Sequence, residues 1–344
     1  MTKKIKQKNV HLPPFSVNKV VSTFSEVQQW GIKQLKVPEI WKLTQGEGIT
    51  VMVIDTGCTD HPDLEGAILV DKCVSFVKGE DIYDTGSGHS SHCAGIIGAR
   101  MNDMGCVGVA PKCNIITVKV LSKNGTGTQA SVNAGLEYAL IAKPDVVSMS
   151  LGSPSYDETE DKLIKELYKL NIPVVAAAGN EGGKRSKTNT VNYPGKLDEV
   201  ITVGAVKEDG SIADFSSWGQ ELDIACPGYN IYSTYLNRGY ANLSGTSMAT
   251  PFCAGIIALM LAKHRKQELE TGLNDCKTVD QIKQHLYKYA DITGVIGYEH
   301  NSFGWGRIDP IKSVIENSII FKPIKEPKLS IWSKIKRFFS KLFN

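Results

Sequence analysis

The sequence predicts a doubly wound α/β domain, with a mostly parallel sheet and helices on both faces. The 344 residues are enough for one large domain with its own core. Short apolar, β-branched segments recur along the chain, at 49–54, 115–121, 145–149, 172–178 and 200–206. Helical patterns lie between or after them, at 129–142, at 158–170 and from Thr246 to about Lys266. Continuous apolar strands that alternate with helices are typical of right-handed βαβ units in a sheet covered on both faces.

Composition and charge narrow the class of protein. Apolar residues make up 42% of the chain and charged residues 22%, as in ordinary globular proteins. The formal net charge of +3 is unevenly distributed: residues 1–9 contribute +4, residues 319–344 contribute +6, and the body at 10–318 carries −7. Because nucleic-acid-binding domains present basic surfaces, we expect this mildly acidic body to have no nucleic-acid partner.

The N-terminus and the cysteines predict a cytoplasmic protein. The chain contains no run of about 18 or more apolar residues, so no transmembrane helix is expected. The basic start, MTKKIKQKNVHLPPF, is not followed by the apolar segment of a secretory signal. The eight cysteines form no CxxC pair, and several lie inside apolar segments. Free, buried thiols in a reducing compartment are favoured, with a disulfide framework as the alternative.

The chain divides into three segments. Residues 1–25 form an N-terminal extension that contains Leu-Pro-Pro-Phe at 12–15, where adjacent prolines force an extended path. Residues 26–318 form the main domain. Residues 319–344 form a linker and a basic amphipathic helix, SIWSKIKRFFSKLFN, with apolar residues on one face and Lys/Arg on the other. This helix either packs on the body or on a second subunit, which would make a homodimer, or docks through 330–344 on a membrane surface or a protein.

Three segments far apart in the sequence each place one reactive side chain at the end of a predicted element. Asp55 ends the first buried strand in VIDTGC, His89 opens a helix in GHSSHCAG, and Ser247 follows a glycine at a helix start in SGTSMATP. In an open α/β sheet, sites form at strand carboxyl ends and the adjoining helix starts. A serine hydroxyl becomes a nucleophile when an imidazole takes its proton, and a carboxylate fixes the imidazole tautomer.

A fourth candidate, Asn180, ends a buried strand in AAAGNEG and could donate to a developing oxyanion beside the Ser247 N–H. Each motif alone has an ordinary structural explanation, as a turn residue, a structural histidine or a helix cap. Four motifs together, each at the end of an element, favour nucleophilic acyl transfer.

With DTG, HSSHCAG, AAGNEG and GTSMATP in this order, residues 27 to 318 resemble the subtilisin-like serine proteases, the subtilases. The resemblance implies the subtilisin-like fold, Asp55, His89 and Ser247 as the catalytic triad, and Asn180 as the oxyanion donor. His89 is preferred to His92, the second histidine of this segment, because the catalytic histidine of the family is the first in its HGTH motif. Two serines, at 90 and 91, replace the usual Gly and Thr, which leaves the rate of the reaction in question.

The resemblance also implies a substrate cleft and a structural calcium site, with no catalytic metal. An extended peptide would bind as a strand between two edges of the cleft, beside a pocket wall. One edge consists of Ser150, Leu151 and Gly152, the opposite edge of Asn124, Gly125 and Gly127, and the wall of Ala177 and Gly179. The Ca²⁺ ligands would be side-chain oxygens of Asp63 and Asn102 and the carbonyls of Arg100, Met104 and Cys106, with either Glu26 or Gln28 as a further ligand. An ordinary turn is the alternative for this loop.

These features together predict a cytoplasmic, calcium-stabilised serine endopeptidase that cleaves peptides or proteins. We expect broad specificity with an apolar preference, because neither 148–152 nor 177–181 offers a charged pocket floor. The short extension at 1–25 is similar to that of intracellular subtilisins, so we expect it to inhibit in cis, as in a zymogen. Two alternatives stay open: a processing protease dedicated to one peptide precursor, and a non-catalytic scaffold that binds peptides.

Overall fold

The structure, a computed structural model, describes residues 9–21, 25–182 and 188–316. The helix predicted within 330–344 lies outside these residues. The strands are β1 Asn9–His11, β2 Ser16–Val21, β3 Thr50–Asp55, β4 Val74–Ser75, β5 Asn114–Lys119, β6 Thr126–Thr128, β7 Val146–Met149, β8 Val174–Ala177, β9 Val200–Val206, β10 Ile224–Pro227, β11 Ile231–Thr234 and β12 Tyr240–Ser244. The helices are α1 Trp30–Gln34, α2 Val37–Ile40, α3 His89–Gly98, α4 Gln129–Ala142, α5 Glu158–Lys169, α6 Thr246–Thr271, α7 Val279–Tyr289, α8 His300–Phe303 and α9 Pro310–Ile315, with 3-10 turns at Pro62–Leu64, Val70–Lys72 and Leu236–Arg238.

The central sheet has seven strands in the order β10-β9-β8-β7-β3-β5-β4, and every neighbouring pair is parallel. All five strands expected from the sequence belong to it. Their valines and isoleucines are buried because helices cover the sheet on both faces. The predicted α/β class is confirmed, and the carboxyl ends of β3, β7 and β8 meet at one edge.

The helix α6 forms much of the core on one face of the sheet, and it packs against α3 and β9. It starts at Thr246 as predicted but extends to Thr271, five residues beyond the expected end. Its length and hydropathy would suffice to cross a membrane, yet 94% of its apolar window is buried inside the protein. Burial against the sheet explains this apolar composition.

Two smaller sheets include the N-terminal extension. The strand β1 pairs antiparallel with β6, and β2 pairs antiparallel with β12, which in turn pairs with β11. The extension therefore crosses the edge of the central sheet where the strand carboxyl ends meet. The sequence predicted an extended path for its two prolines but not the strands on either side, because their order depends on partners distant in sequence.

Candidate active site

Three buried side chains of the predicted triad meet at the carboxyl edge of the sheet. Asp55 is the last residue of β3, His89 is the first of α3, and Ser247 is the second of α6. Both carboxylate oxygens of Asp55 lie 2.9 Å from His89 Nδ1. The backbone N–H of Thr56 donates to Asp55 Oδ1 at 2.7 Å, which helps to fix the carboxylate. This pairing holds the His89 proton on Nδ1 and leaves Nε2 as the basic nitrogen.

Among the described residues, the nucleophile candidate makes no hydrogen bond to the basic nitrogen of His89. The Ser247 hydroxyl donates to the carbonyl oxygen of Ser150 at 3.4 Å. Within the described residues, His89 Nε2 has no hydrogen-bond partner although it is buried. The ring of Phe15, from the N-terminal extension, lies 4.9 Å from the His89 ring between centroids and covers it.

The surroundings of His89 favour its protonated form. Burial by itself disfavours the imidazolium, but the negative charge of Asp55 outweighs this effect, so the pKa of His89 is raised well above its usual value. The thiol of Cys93 lies 3.9 Å from Nδ1 and also contacts the carbonyl oxygen of Ser247, at 3.5 Å. The arrangement stabilises the imidazolium that forms when His89 accepts a proton.

Asn180 has its side-chain amide oriented by the start of α6. Its Oδ1 accepts from both the backbone N–H and the hydroxyl of Thr246, each at 2.9 Å. The Nδ2 group therefore points into the cleft, where it donates to the carbonyl oxygen of Pro14 at 2.7 Å. Sequence reasoning missed the orienting role of Thr246, although this residue lies inside the motif that identified Ser247.

The N-terminal extension lies between the two predicted edges of the substrate cleft. On one edge Val10 pairs with Gly127, and the Leu12 N–H donates to the Gly125 carbonyl at 3.0 Å. On the other edge His11 and Gly152 form an antiparallel bridge, with N–O distances of 3.4 and 3.2 Å. The extension therefore lies as an added strand between these two segments of the chain.

The remaining predicted cleft residues line these edges or the adjoining wall. The Ser150 hydroxyl donates to the Ser247 carbonyl at 2.8 Å, and Leu151 is buried. Asn124 is exposed in the turn before β6, where its N–H lies 3.4 Å from the hydroxyl oxygen of Ser122.

The pocket wall follows β8. Ala177 is buried at the end of the strand, and Gly179 donates its N–H to the Thr246 hydroxyl oxygen at 3.2 Å. The φ angle of Gly179 is +111°, and a Cβ there would overlap the Glu181 carboxylate, so only glycine suits this position.

The predicted calcium ligands lie around the loop that follows α3. Asp63 is buried, and its carboxylate accepts from the Cys106 N–H at 2.7 Å and from Asn102 Nδ2 at 3.3 Å. Of the two alternatives at the N-terminal side, the Glu26 carboxylate reaches this loop, since it accepts from the Asn102 N–H at 3.1 Å. The Asn102 Oδ1 accepts from the Met104 N–H at 3.1 Å.

The two carboxylates and the amide that meet at this loop are oxygen donors of the kind that fit Ca²⁺, and the predicted carbonyls of Arg100, Met104 and Cys106 would add to them. The fit requires one change. Asn102 now presents its amide nitrogen to Asp63, so its side chain must turn to offer Oδ1 to a cation.

Comparisons with known proteins agree with this geometry. The chain matches the family model described as the subtilase family over residues 46–306. It is 39% identical to the intracellular serine protease of Paenibacillus polymyxa over 74% of this chain and 78% of that protein. It is 37% identical to the major intracellular serine protease of Bacillus subtilis (strain 168), over 79% and 86% of the two chains, and 43% identical to subtilisin DY of Bacillus licheniformis, over 64% and 79%. The chain therefore belongs to the subtilase family of serine endopeptidases.

Proposed function

We propose that this chain hydrolyses peptide bonds with Asp55, His89 and Ser247 as its catalytic triad and Asn180 as an oxyanion donor. The observation that carries the proposal is the carbonyl oxygen of Pro14, which accepts a 2.7 Å hydrogen bond from Asn180 Nδ2 directly beside the buried triad. A peptide carbonyl held at this donor is the arrangement that acyl transfer requires.

In the reaction, His89 Nε2 takes the hydroxyl proton of Ser247 as Oγ forms a bond to the scissile carbonyl carbon. Negative charge develops on the carbonyl oxygen, where the Asn180 amide and the backbone N–H of Ser247 stabilise it. The C–N bond then breaks and His89 returns the proton to the leaving amine. Water repeats the sequence on the acyl-enzyme and releases the product acid. Asp55 orients His89 and stabilises its charge throughout.

We propose further that the N-terminal extension keeps the enzyme latent by occupying its own substrate cleft. Hydrogen bonds from His11 and Leu12 hold the extension on both edges, and Phe15 covers His89. Because the inhibiting segment belongs to the same chain, its local concentration is high whatever the protein concentration. A substrate must displace it to reach Ser247.

We propose that Pro13 slows cleavage of the extension. His11 pairs with Gly152 in an antiparallel bridge. Continuing this register by two residues would bring Pro13 opposite Ser150. Proline has no N–H, so the Ser150 carbonyl receives no hydrogen bond from the extension at that position. The Ser247 hydroxyl donates to this carbonyl instead, and among the described residues His89 Nε2 has no hydrogen-bond partner.

We propose polypeptide substrates with an apolar preference. The contact of Leu12 supports this preference, since Leu12 packs against the backbone at Gly125, where a Cβ would lie 2.9 Å from Leu12 Cδ1. Beside the pocket wall, the Glu181 carboxylate accepts hydrogen bonds from Asn192 and Ser217, at 2.9 and 3.4 Å. It is therefore a weak determinant for basic side chains.

We propose that Ca²⁺ binds the loop at 100–106 together with Asp63 and Glu26, and that the enzyme acts in the cytoplasm. Bound calcium would join the N-terminal start of the domain to the loop after α3, so removing it with a chelator should lower the Tm. An Asp63→Asn variant should lose this calcium dependence. Equal Tm values in calcium and in chelator for the unmodified chain would contradict the site.

Two observations support the proposed location in the cytoplasm. Two relatives are named as intracellular serine proteases, and the eight cysteines of this chain are free thiols, as expected in a reducing compartment.

The decisive experiment follows casein hydrolysis by the purified full-length chain in Ca²⁺, with intact-mass spectra at each time point and Ser247→Ala as the control. A lag that ends as the extension is lost would support both the protease and its latency. Full activity from the start, with the mass unchanged, would contradict latency alone. No hydrolysis of casein would contradict broad specificity and favour a dedicated processing protease, whereas no labelling of Ser247 by a fluorophosphonate would contradict the catalytic proposal itself.

A further inference from the structure

A second cluster of reactive side chains lies away from the cleft, between α6 and α7. It consists of His264 on α6, Cys276 in the connection that follows, and His285 on α7. All three side chains are buried, and one ligand atom from each lies within 4.8 Å of the others. The rings of His264 and His285 meet edge to face with their centroids 5.4 Å apart.

His264 is the unusual member of the cluster. It is fully buried, and neither of its ring nitrogens has a hydrogen-bond partner among the described residues. A neutral imidazole always carries one N–H donor and one acceptor, and burying both without partners is costly. Apolar packing alone would favour leucine or phenylalanine here. A ligand that accepts the lone pair of a ring nitrogen would account for histidine.

The donor set identifies the chemistry of that ligand. Two imidazoles and a thiolate are the ligands that Zn²⁺ prefers, whereas Ca²⁺ takes oxygen. With Zn–N distances of about 2.0 Å and Zn–S of about 2.3 Å, ligand atoms around zinc lie roughly 3.5 Å apart. The ligand atoms of the cluster, now within 4.8 Å of one another, therefore need to approach by roughly 1 Å. Rotation of the side chains can supply this movement.

Charge and access are compatible with a cation. The negative charge of Asp275, next to Cys276, acts on both Cys276 and His285. The positive charge of Lys263 opposes it at both side chains, and that of Lys288 opposes it at His285. Cys276 also lines a surface cleft of about 580 Å³ together with Asn274, which gives an ion a path to the buried thiol.

We propose that His264, Cys276 and His285 bind a structural Zn²⁺ ion that joins the C-terminal half of α6 to α7. Binding forms Zn–N and Zn–S bonds, and the Cys276 thiol proton leaves to the solvent. His264 lies 17 residues after Ser247 on the same helix, roughly 25 Å away along its axis, so the ion takes no part in the reaction.

The test uses the full-length Ser247→Ala chain, which cannot cut itself, with Ca²⁺ present throughout. The chain is stripped with a chelator, equilibrated with Zn²⁺ or Co²⁺, and its bound metal, absorption spectrum and Tm are measured. We expect one Zn²⁺ per chain, a thiolate-to-Co²⁺ charge-transfer band, and a Tm raised by roughly 4 °C when Zn²⁺ is at about 100 times its Kd.

Two variants locate the ion. Cys276→Ser should lose the charge-transfer band and the Tm shift. Cys93→Val is the matched control, because Asp55, His89 and Cys93 form another group whose ligand atoms lie within 4.8 Å of one another; this variant should keep both signals. The proposal would be overturned if the chain without either substitution bound no zinc. It would also be overturned if Cys93→Val lost the signals while Cys276→Ser kept them.

Discussion

Removing residues 1–25 should release the cleft and raise the initial rate of hydrolysis. Four hydrogen bonds hold the stretch from His11 to Pro14 in place: two between His11 and Gly152, one from Leu12 to Gly125, and one from Asn180 to Pro14. At about 1 kcal/mol net for each bond, they favour the closed state by about 4 kcal/mol. Since each 1.4 kcal/mol is a factor of ten, the open fraction of the intact chain is on the order of 10⁻³.

The assay compares initial rates on a short chromogenic peptide, at a substrate concentration well below KM. The truncated chain should be faster than the intact chain by about 10³-fold in the first minutes, before any self-cleavage, and intact-mass spectra would verify that the chain is still whole. Deletion of residues 1–8 is the matched control, because it shortens the chain but keeps every contact named above; it should leave the rate low. Equal initial rates for the intact and the truncated chain would refute the reasoning.

Three further predictions concern single residues. Pro13→Ala supplies an N–H opposite Ser150, so the intact chain should cleave its own extension faster, as seen in intact-mass spectra; an unchanged rate would contradict the proposed register. Asn180→Ala should lower the kcat of the truncated enzyme by about 10²–10³ while KM changes little, and a loss confined to KM would exclude an oxyanion role. The pKa of His89 is raised and the reaction needs its neutral form, so kcat/KM should fall with decreasing pH around a midpoint above 6.5. A midpoint at or below 6.5 would contradict this.

The sequence was sufficient to predict elements whose residues carry their own signal. The helix α4 has the predicted bounds, Gln129–Ala142, because a threonine cap precedes it and a residue in the left-handed conformation, Lys143, ends it. The buried strand β9 matches its prediction at Val200–Val206 because it opens with four consecutive β-branched residues and every residue in it is apolar or small enough to be buried. Asp55 and His89 were predicted to meet because strand ends and helix starts share one edge of the sheet.

Other features depend on partners and so left no local signal. The strand β1 has three residues, and its order comes from pairing with β6. The Ser247 hydroxyl donates to the carbonyl oxygen of Ser150, a partner that lies far from it in the sequence. Glu26 was one of two alternatives as a calcium ligand, since only the folded chain brings it to Asn102.

The extension described above is continuous with the domain that it covers, and this has a kinetic consequence. While Leu12 and Pro14 remain part of the chain, they return to the cleft after every opening, so closure is a first-order event that dilution cannot weaken. A cut beyond Pro14 turns the same residues into a free peptide, whose rebinding depends on its concentration in the cell. A single bond cleavage would thus convert a closure that is independent of concentration into one that weakens on dilution.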